Sequence, residues 1–172
     1  MFDVIFGLPV HILVLHAYVV LGPLAALVAI AHAVRPGWRR VLTWPLVGLA
    51  VVTGVSALVT KESGEKLAGR LLPDQATTST DPQVQMIVQH AEIGGVTGVI
   101  GVLFMVVVLV AVLWAMRPRT GEQSGGARSV VAAVLVIVAS LGMLGSVVYA
   151  GHTGATAAWQ ARIAATTPGA DN

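Results

Sequence analysis

No cysteine occurs in the 172 residues. Disulfides, thiolate metal sites, cysteine-held iron–sulfur clusters and covalently attached c-type haem are therefore excluded. A metal or haem would need nitrogen, oxygen or thioether ligands. Charge is scarce as well: 10% of residues are charged, against roughly a quarter in soluble domains. The start, Met1-Phe2-Asp3, has no Lys or Arg and no cleavage site of small residues follows. It does not read as a signal peptide, so the first apolar run is expected to stay as a helix. The pI near 9.5 comes from basic residues flanking apolar runs, without interleaved aromatics, so nucleic acid is not an expected partner. A hydrolase triad, a phosphate loop and an acid–base pair deep in the apolar runs are all missing. An electron-transfer or accessory subunit is expected rather than an independent enzyme.

What is abundant is hydrocarbon. Hydrophobic residues make up 56% of the chain and gather into four runs, about 8–34, 41–60, 91–116 and 129–151. Each is close to the ~20 residues that cross ~30 Å of hydrocarbon. The expected fold is an all-α four-helix transmembrane bundle, a single domain over 1–172, with the lipid bilayer as its surroundings. Asp81-Pro82 reads as an N-cap followed by proline at the first helical position, so helix three is expected over 82–116. A polar outer loop is expected over about 61–81, and a short tail after the fourth helix that continues from Thr153 as a surface helix before Pro168. No internal repeat is evident.

Charge orients the bundle. Arg35, Arg39 and Arg40 lie between the first two runs, and Arg117, Arg119 and Arg128 between the last two. The positive-inside rule places both loops in the cytoplasm and both termini outside it. A bacterial cytoplasmic membrane is the expected location. Trp38, Trp44, Trp114 and Trp159 read as interfacial anchors.

Five histidines lie in or beside the runs, where ionisable residues are costly and often functional. At ~1.5 Å rise per residue, His11, His16, His90, His152 and Glu62 each fall ~28–40 Å from the arginines of their own helix. They form one outer layer, while His32 sits alone at the inner edge and reads as interfacial. His90 stands above Gly94, Gly98 and Gly101 on one face, and His152 shares a face with Gly145, with Gly142 near. Small residues there admit close helix packing or a flat cofactor such as a porphyrin. His11 and His16 diverge by ~140°; His16, the deeper, is expected to be the interior group. Glu62 and Glu65 read as solvated helix-end charges, partners of a histidine, or metal ligands. Glu92 points ~200° away from His90.

These residues carry a family resemblance. Gly7-Leu8-Pro9-Val10-His11 with His16 resembles the G-x-P-x-H-x-x-x-x-H opening of a bacterial family known as domain of unknown function 2231. Ser63-Gly64-Glu65 is similar to its small-Gly-Glu element, His90 to its third-helix histidine, and Gly151-His152-Thr153-Gly154-Ala155 to its G-H-[ST]-G-A ending. Ile12 stands where relatives commonly carry a second proline. The likeness spans about residues 7–159. Some relatives are joined to Rieske-type domains, which implies a place near respiratory electron transfer.

Three functions are consistent with these readings. One is a membrane redox subunit binding a b-type haem through His16, His90, His152 or His11. Another is a non-haem zinc, copper or iron site built from His16, His90, His152, Glu62 and Glu65. The third is a non-catalytic accessory subunit whose histidines and small residues pack against respiratory-chain partners.

Overall fold

The computed structural model describes residues 4–72, 76–116 and 126–166. Four helices carry the chain: α1 (Val10–Val34), α2 (Arg39–Leu71), α3 (Pro82–Val110) and α4 (Ala127–Thr166). All four are long and apolar enough to cross a membrane. Each packs on its chain neighbour and α4 closes on α1, an up-and-down ring in which α1 and α3 stand diagonally. We call the end carrying Val10 and Thr166 upper and the end carrying Arg39 lower.

The reason for bundling is visible in the spacing. On α1 the inward residues are His11, Leu15, Tyr18, Gly22, Ala25 and Ala29, alternating four and three apart. On α3 they are His90, Gly94, Thr97, Gly101, Phe104 and Val108, with the same alternation. A 3.5-residue repeat keeps one seam inward along the whole helix. Because lipid is as apolar as any side chain, close packing must hold the helices together, and small residues permit it. The methyl of Met143 fills the space Gly22 leaves, Met105 packs into that left by Gly54, and Gly101 receives Ala57 and the Tyr18 ring.

At the upper end two helices run past the apolar runs. α2 continues eleven residues beyond residue 60, to Leu71, and α4 runs unbroken through the tail helix to Thr166. The segment after residue 60 is therefore helix and not polar loop for most of its length. Ion pairs and back-bonds sustain it there: Lys61 Nζ meets Glu65 at 2.6 Å and Glu62 at 3.8 Å. The Ser63 hydroxyl donates to the Val59 carbonyl at 2.6 Å. Asp81 caps α3 as its spacing suggests, its carboxylate accepting from the Gln83 N–H at 2.8 Å. A two-stranded hairpin, β1 (Val4–Ile5) and β2 (Leu8–Pro9), precedes α1. Phe6 and Gly7 hold positive φ at its tip, the requirement of a tight hairpin turn. One turn of π-helix, Ala111–Ala115, ends α3. The second arginine loop, with Arg117 and Arg119, lies outside the described residues.

At the lower end His32 is buried among the helices, 1% exposed. Thr43 gives its hydroxyl proton to the Arg39 carbonyl at 2.6 Å, so its oxygen accepts from His32 Nε2 at 3.2 Å. Arg39 donates to the His32 and Ala33 carbonyls, both at 3.3 Å, and to Ser129 Oγ at 3.1 Å. One guanidinium thus satisfies the orphan carbonyls at the end of α1, favours its negative pole and ties α1 to α4. Trp38, Trp44, Trp114 and Trp159 are all exposed. Trp38 and Trp159 stack with Arg35 and Arg162 at 5.9 and 5.3 Å.

Candidate functional site

At the upper end the four seams part around a cavity of about 350 Å³, within the ~300–1,000 Å³ of small-molecule sites. Tyr18, Thr97 and Val147 line it at depth, His11 and His90 nearer the helix ends. The Tyr18 hydroxyl donates to the Thr97 carbonyl at 3.0 Å, which satisfies the one phenol buried there. Gly94, Gly95 and Gly151 form parts of the wall, and a Cβ added at any of them would meet nothing within 4 Å. The glycines therefore leave room in the cavity and are not consumed by helix contact.

The hydrogen bonds favour one tautomer of each imidazole in its neutral form. His11 Nδ1 lies 3.0 Å from the Thr60 carbonyl oxygen. A carbonyl only accepts, so Nδ1 carries a proton, and in the neutral ring Nε2 is then a bare lone pair. His90 Nδ1 lies 3.3 Å from Thr153 Oγ1, whose own proton goes to the Ala150 carbonyl at 3.1 Å. With the threonine proton on that carbonyl, Nδ1 of the neutral ring donates and Nε2 is bare. No described hydrogen bond uses either Nε2. Two acceptors of this kind do not match a ligand that offers only carbonyl oxygens, whereas a metal centre accepts both.

The expected ligand sets come together only in part. His16 is exposed and its Nδ1 bonds the Ile12 carbonyl of its own helix at 2.5 Å. His11, not His16, is the interior group of α1. Five residues separate them, and the seam His11-Leu15-Tyr18-Gly22 admits only the first. His152 is exposed as well. The inward path of α4 runs Met143, Val147, Ala150, Gly154, and His152 falls between its steps. Gly142 and Gly145 face open space with it. Glu92 is exposed. Glu62 and Glu65 have side chains 64% and 55% exposed and are Lys61's partners; Glu65 also reaches the cavity rim.

Among the described residues, no three His, Asp or Glu side chains gather closely enough to hold a metal ion. The set His16, His90, His152, Glu62 and Glu65 is therefore not assembled as a metal site. Sequence reasoning missed Tyr18, Thr60, Lys61 and the hydroxyl of Thr153. The four-three spacing from His11 to Tyr18 was the available signal for the first of these.

Residues 7–167 match the profile of the family described as predicted membrane protein, domain of unknown function 2231. The chain belongs to that family. No curated protein matches it, and no solved structure does. Family membership and four apolar helices together make it an integral membrane protein. Ser63-Gly64-Glu65 and Gly151-His152-Thr153-Gly154-Ala155 supply the backbone against which His11 and His90 rest. A Cβ at Gly64 would stand 2.9 Å from His11 Cε1, and one at Gly154 2.8 Å from His90 Cε1.

Proposed function

We propose that the protein is a membrane redox subunit whose upper cavity takes one b-type haem, which His11 and His90 would hold. One observation carries this reading: two imidazoles on diagonal helices line the same cavity, each with its Nδ1 proton engaged and its Nε2 bare. A four-helix bundle holds haem through side chains of this kind on facing helices, and the hydrogen bond at Nδ1 fixes tautomer and ring direction. The open walls at Gly94, Gly95 and Gly151 suit a flat macrocycle. Bound there, a haem would supply one-electron chemistry. The protein's part is to orient the two rings, exclude water and set the polarity around them. His16 and His152 have no role in this reading, and neither carboxylate is a ligand.

With both termini outside a bacterial cytoplasmic membrane, the cavity lies at the outer leaflet, where respiratory-chain partners exchange electrons. A reporter fused after Asn172 should read extracytoplasmic, and one at Gly37 cytoplasmic.

The decisive experiment is an absorption spectrum of the full chain purified from membranes, before and after dithionite, with hemin titration of any empty fraction. The expected result is a Soret band that sharpens on reduction, at no more than one haem per chain. His11→Ala and His90→Ala should each remove it. A chain that neither retains nor takes up hemin would refute the proposal and leave the accessory-subunit reading in its place.

A further inference from the structure

The two halves of the chain treat their histidines alike. In the hairpin α1–α2, His11 of the first helix rests against Gly64 of the second. In α3–α4, His90 of the first helix rests against Gly154 of the second. The residue before each glycine carries a hydroxyl, and each hydroxyl lies near the carbonyl three positions earlier. Thr153 Oγ1 donates to the Ala150 carbonyl at 3.1 Å; Ser63 Oγ gives its one proton to the Val59 carbonyl at 2.6 Å and lies 3.2 Å from that of Thr60. That carbonyl, four residues before the glycine in both cases, is where the histidine's Nδ1 proton leads. His11 reaches it directly and His90 through the threonine. A buried glycine follows each histidine eleven residues on, at Gly22 and Gly101. A serine precedes each seat glycine by eight, at Ser56 and Ser146. So few shared positions, scattered among interchangeable aliphatic residues, make no visible repeat in sequence.

We infer that the upper site is assembled from two equivalent half-sites, one per helical hairpin, each presenting a single bare imidazole Nε2, with Gly64 and Gly154 as its positioning residues. The ligand class that matches is a planar metal complex, which the two like imidazoles would hold. That ligand assignment rests on the haem reading; the half-sites themselves do not. Each glycine acts through its histidine. A methyl placed under 3.0 Å from the ring carbon must displace the ring, which weakens the Nδ1 hydrogen bond and with it the hold on the tautomer.

The test uses the full chain in lipid nanodiscs, with ¹⁵N-labelled histidine, as purified and after hemin titration. In the chain without haem, both His11 and His90 should show the Nδ1–H tautomer. Gly64→Ala should change the His11 signals and spare His90; Gly154→Ala should do the reverse. Gly48→Ala, whose added methyl meets nothing, should change neither and serves with circular dichroism as the folding control. Hemin affinity should fall by about 10- to 100-fold in each seat variant, by similar factors, with loss of the low-spin spectrum that two imidazoles give. An Nε2–H tautomer at either histidine, or seat variants that leave both rings unchanged, would overturn the half-sites. Correct tautomers with no hemin uptake would instead overturn the haem reading and leave the half-sites standing.

Discussion

Between Gly22 and Arg39 the inward seams meet on Ala25, Ala29, Leu46, Phe104, Val108 and Val136, each 0 or 1% exposed. Between His11 and Tyr18 the same seams meet on glycine, threonine and imidazole, and about 350 Å³ stays open. One helical repeat runs through both regions, so the difference lies in the residues placed on it. The lower half uses its small residues to bring backbones together, as at Gly54 and Met105. The upper half places Gly94, Gly95 and Gly151 where nothing approaches. A bundle that needed only cohesion would fill both ends. The lower half is the clamp that lets the upper half remain hollow.

The comparison breaks most completely if the upper half is filled. Gly94→Leu projects a side chain into open cavity without displacing a neighbour, so the bundle should fold and its melting temperature should not fall. Hemin binding should be abolished, read from the spectrum. The matching lower-half test removes packing. Leu46 is 0% exposed, and Leu46→Ala should cost about 2–5 kcal/mol in reversible unfolding. Leu15→Ala, at a cavity wall that is already incompletely packed, should cost less. Equal losses at the two leucines would mean that the cavity is filled by lipid or protein in the membrane.

Arg39 sharpens the contrast at a smaller scale. It serves two carbonyls of α1 and one hydroxyl of α4, and hydrogen bonds to a charged group contribute about 1.5–3 kcal/mol. Arg39→Ala should lower stability by that order, with Arg39→Lys in between. Haem retention should survive both, because the guanidinium lies at the opposite end from His11 and His90. Loss of haem in Arg39→Lys without loss of stability would couple the two ends and contradict their separate roles.

Much of this was legible in the sequence. Run length and arginine placement imply four spanning helices, and Asp81-Pro82 marks the start of α3. Depth counting also brings His11 and His90 to one layer, because rise per residue is nearly constant in a helix. Depth is blind to direction, however. His16 and His152 lie at the right height on the wrong faces, and in runs made almost wholly of Val, Leu, Ala and Gly no polar face announces which side is inward. The inward seam could be read only from where Tyr18 and the small residues recur. Nor could hydropathy foresee that α2 continues through Lys61, Glu62 and Glu65. Ion pairs on a helix leave no apolar trace.

His16 carries the smallest expected effect. It is a histidine at the height of the cavity, within the family's opening motif, and inward by depth alone. In the structure it faces away from the bundle and bonds the carbonyl of its own preceding turn. That bond joins no second helix, and the Ile12 carbonyl keeps its place in the α1 backbone without it. His16→Ala should therefore change stability by less than about 0.5 kcal/mol, the usual range for substitutions away from buried contacts. The haem spectrum should be unaltered. His11→Ala, five residues earlier on the same helix, should lose the haem entirely. The pair tests direction with depth and helix held nearly constant. If His16→Ala removed the haem and His11→Ala did not, α1 would have to be turned by ~140°, and the seam from His11 through Tyr18 and Gly22 would be the wrong face.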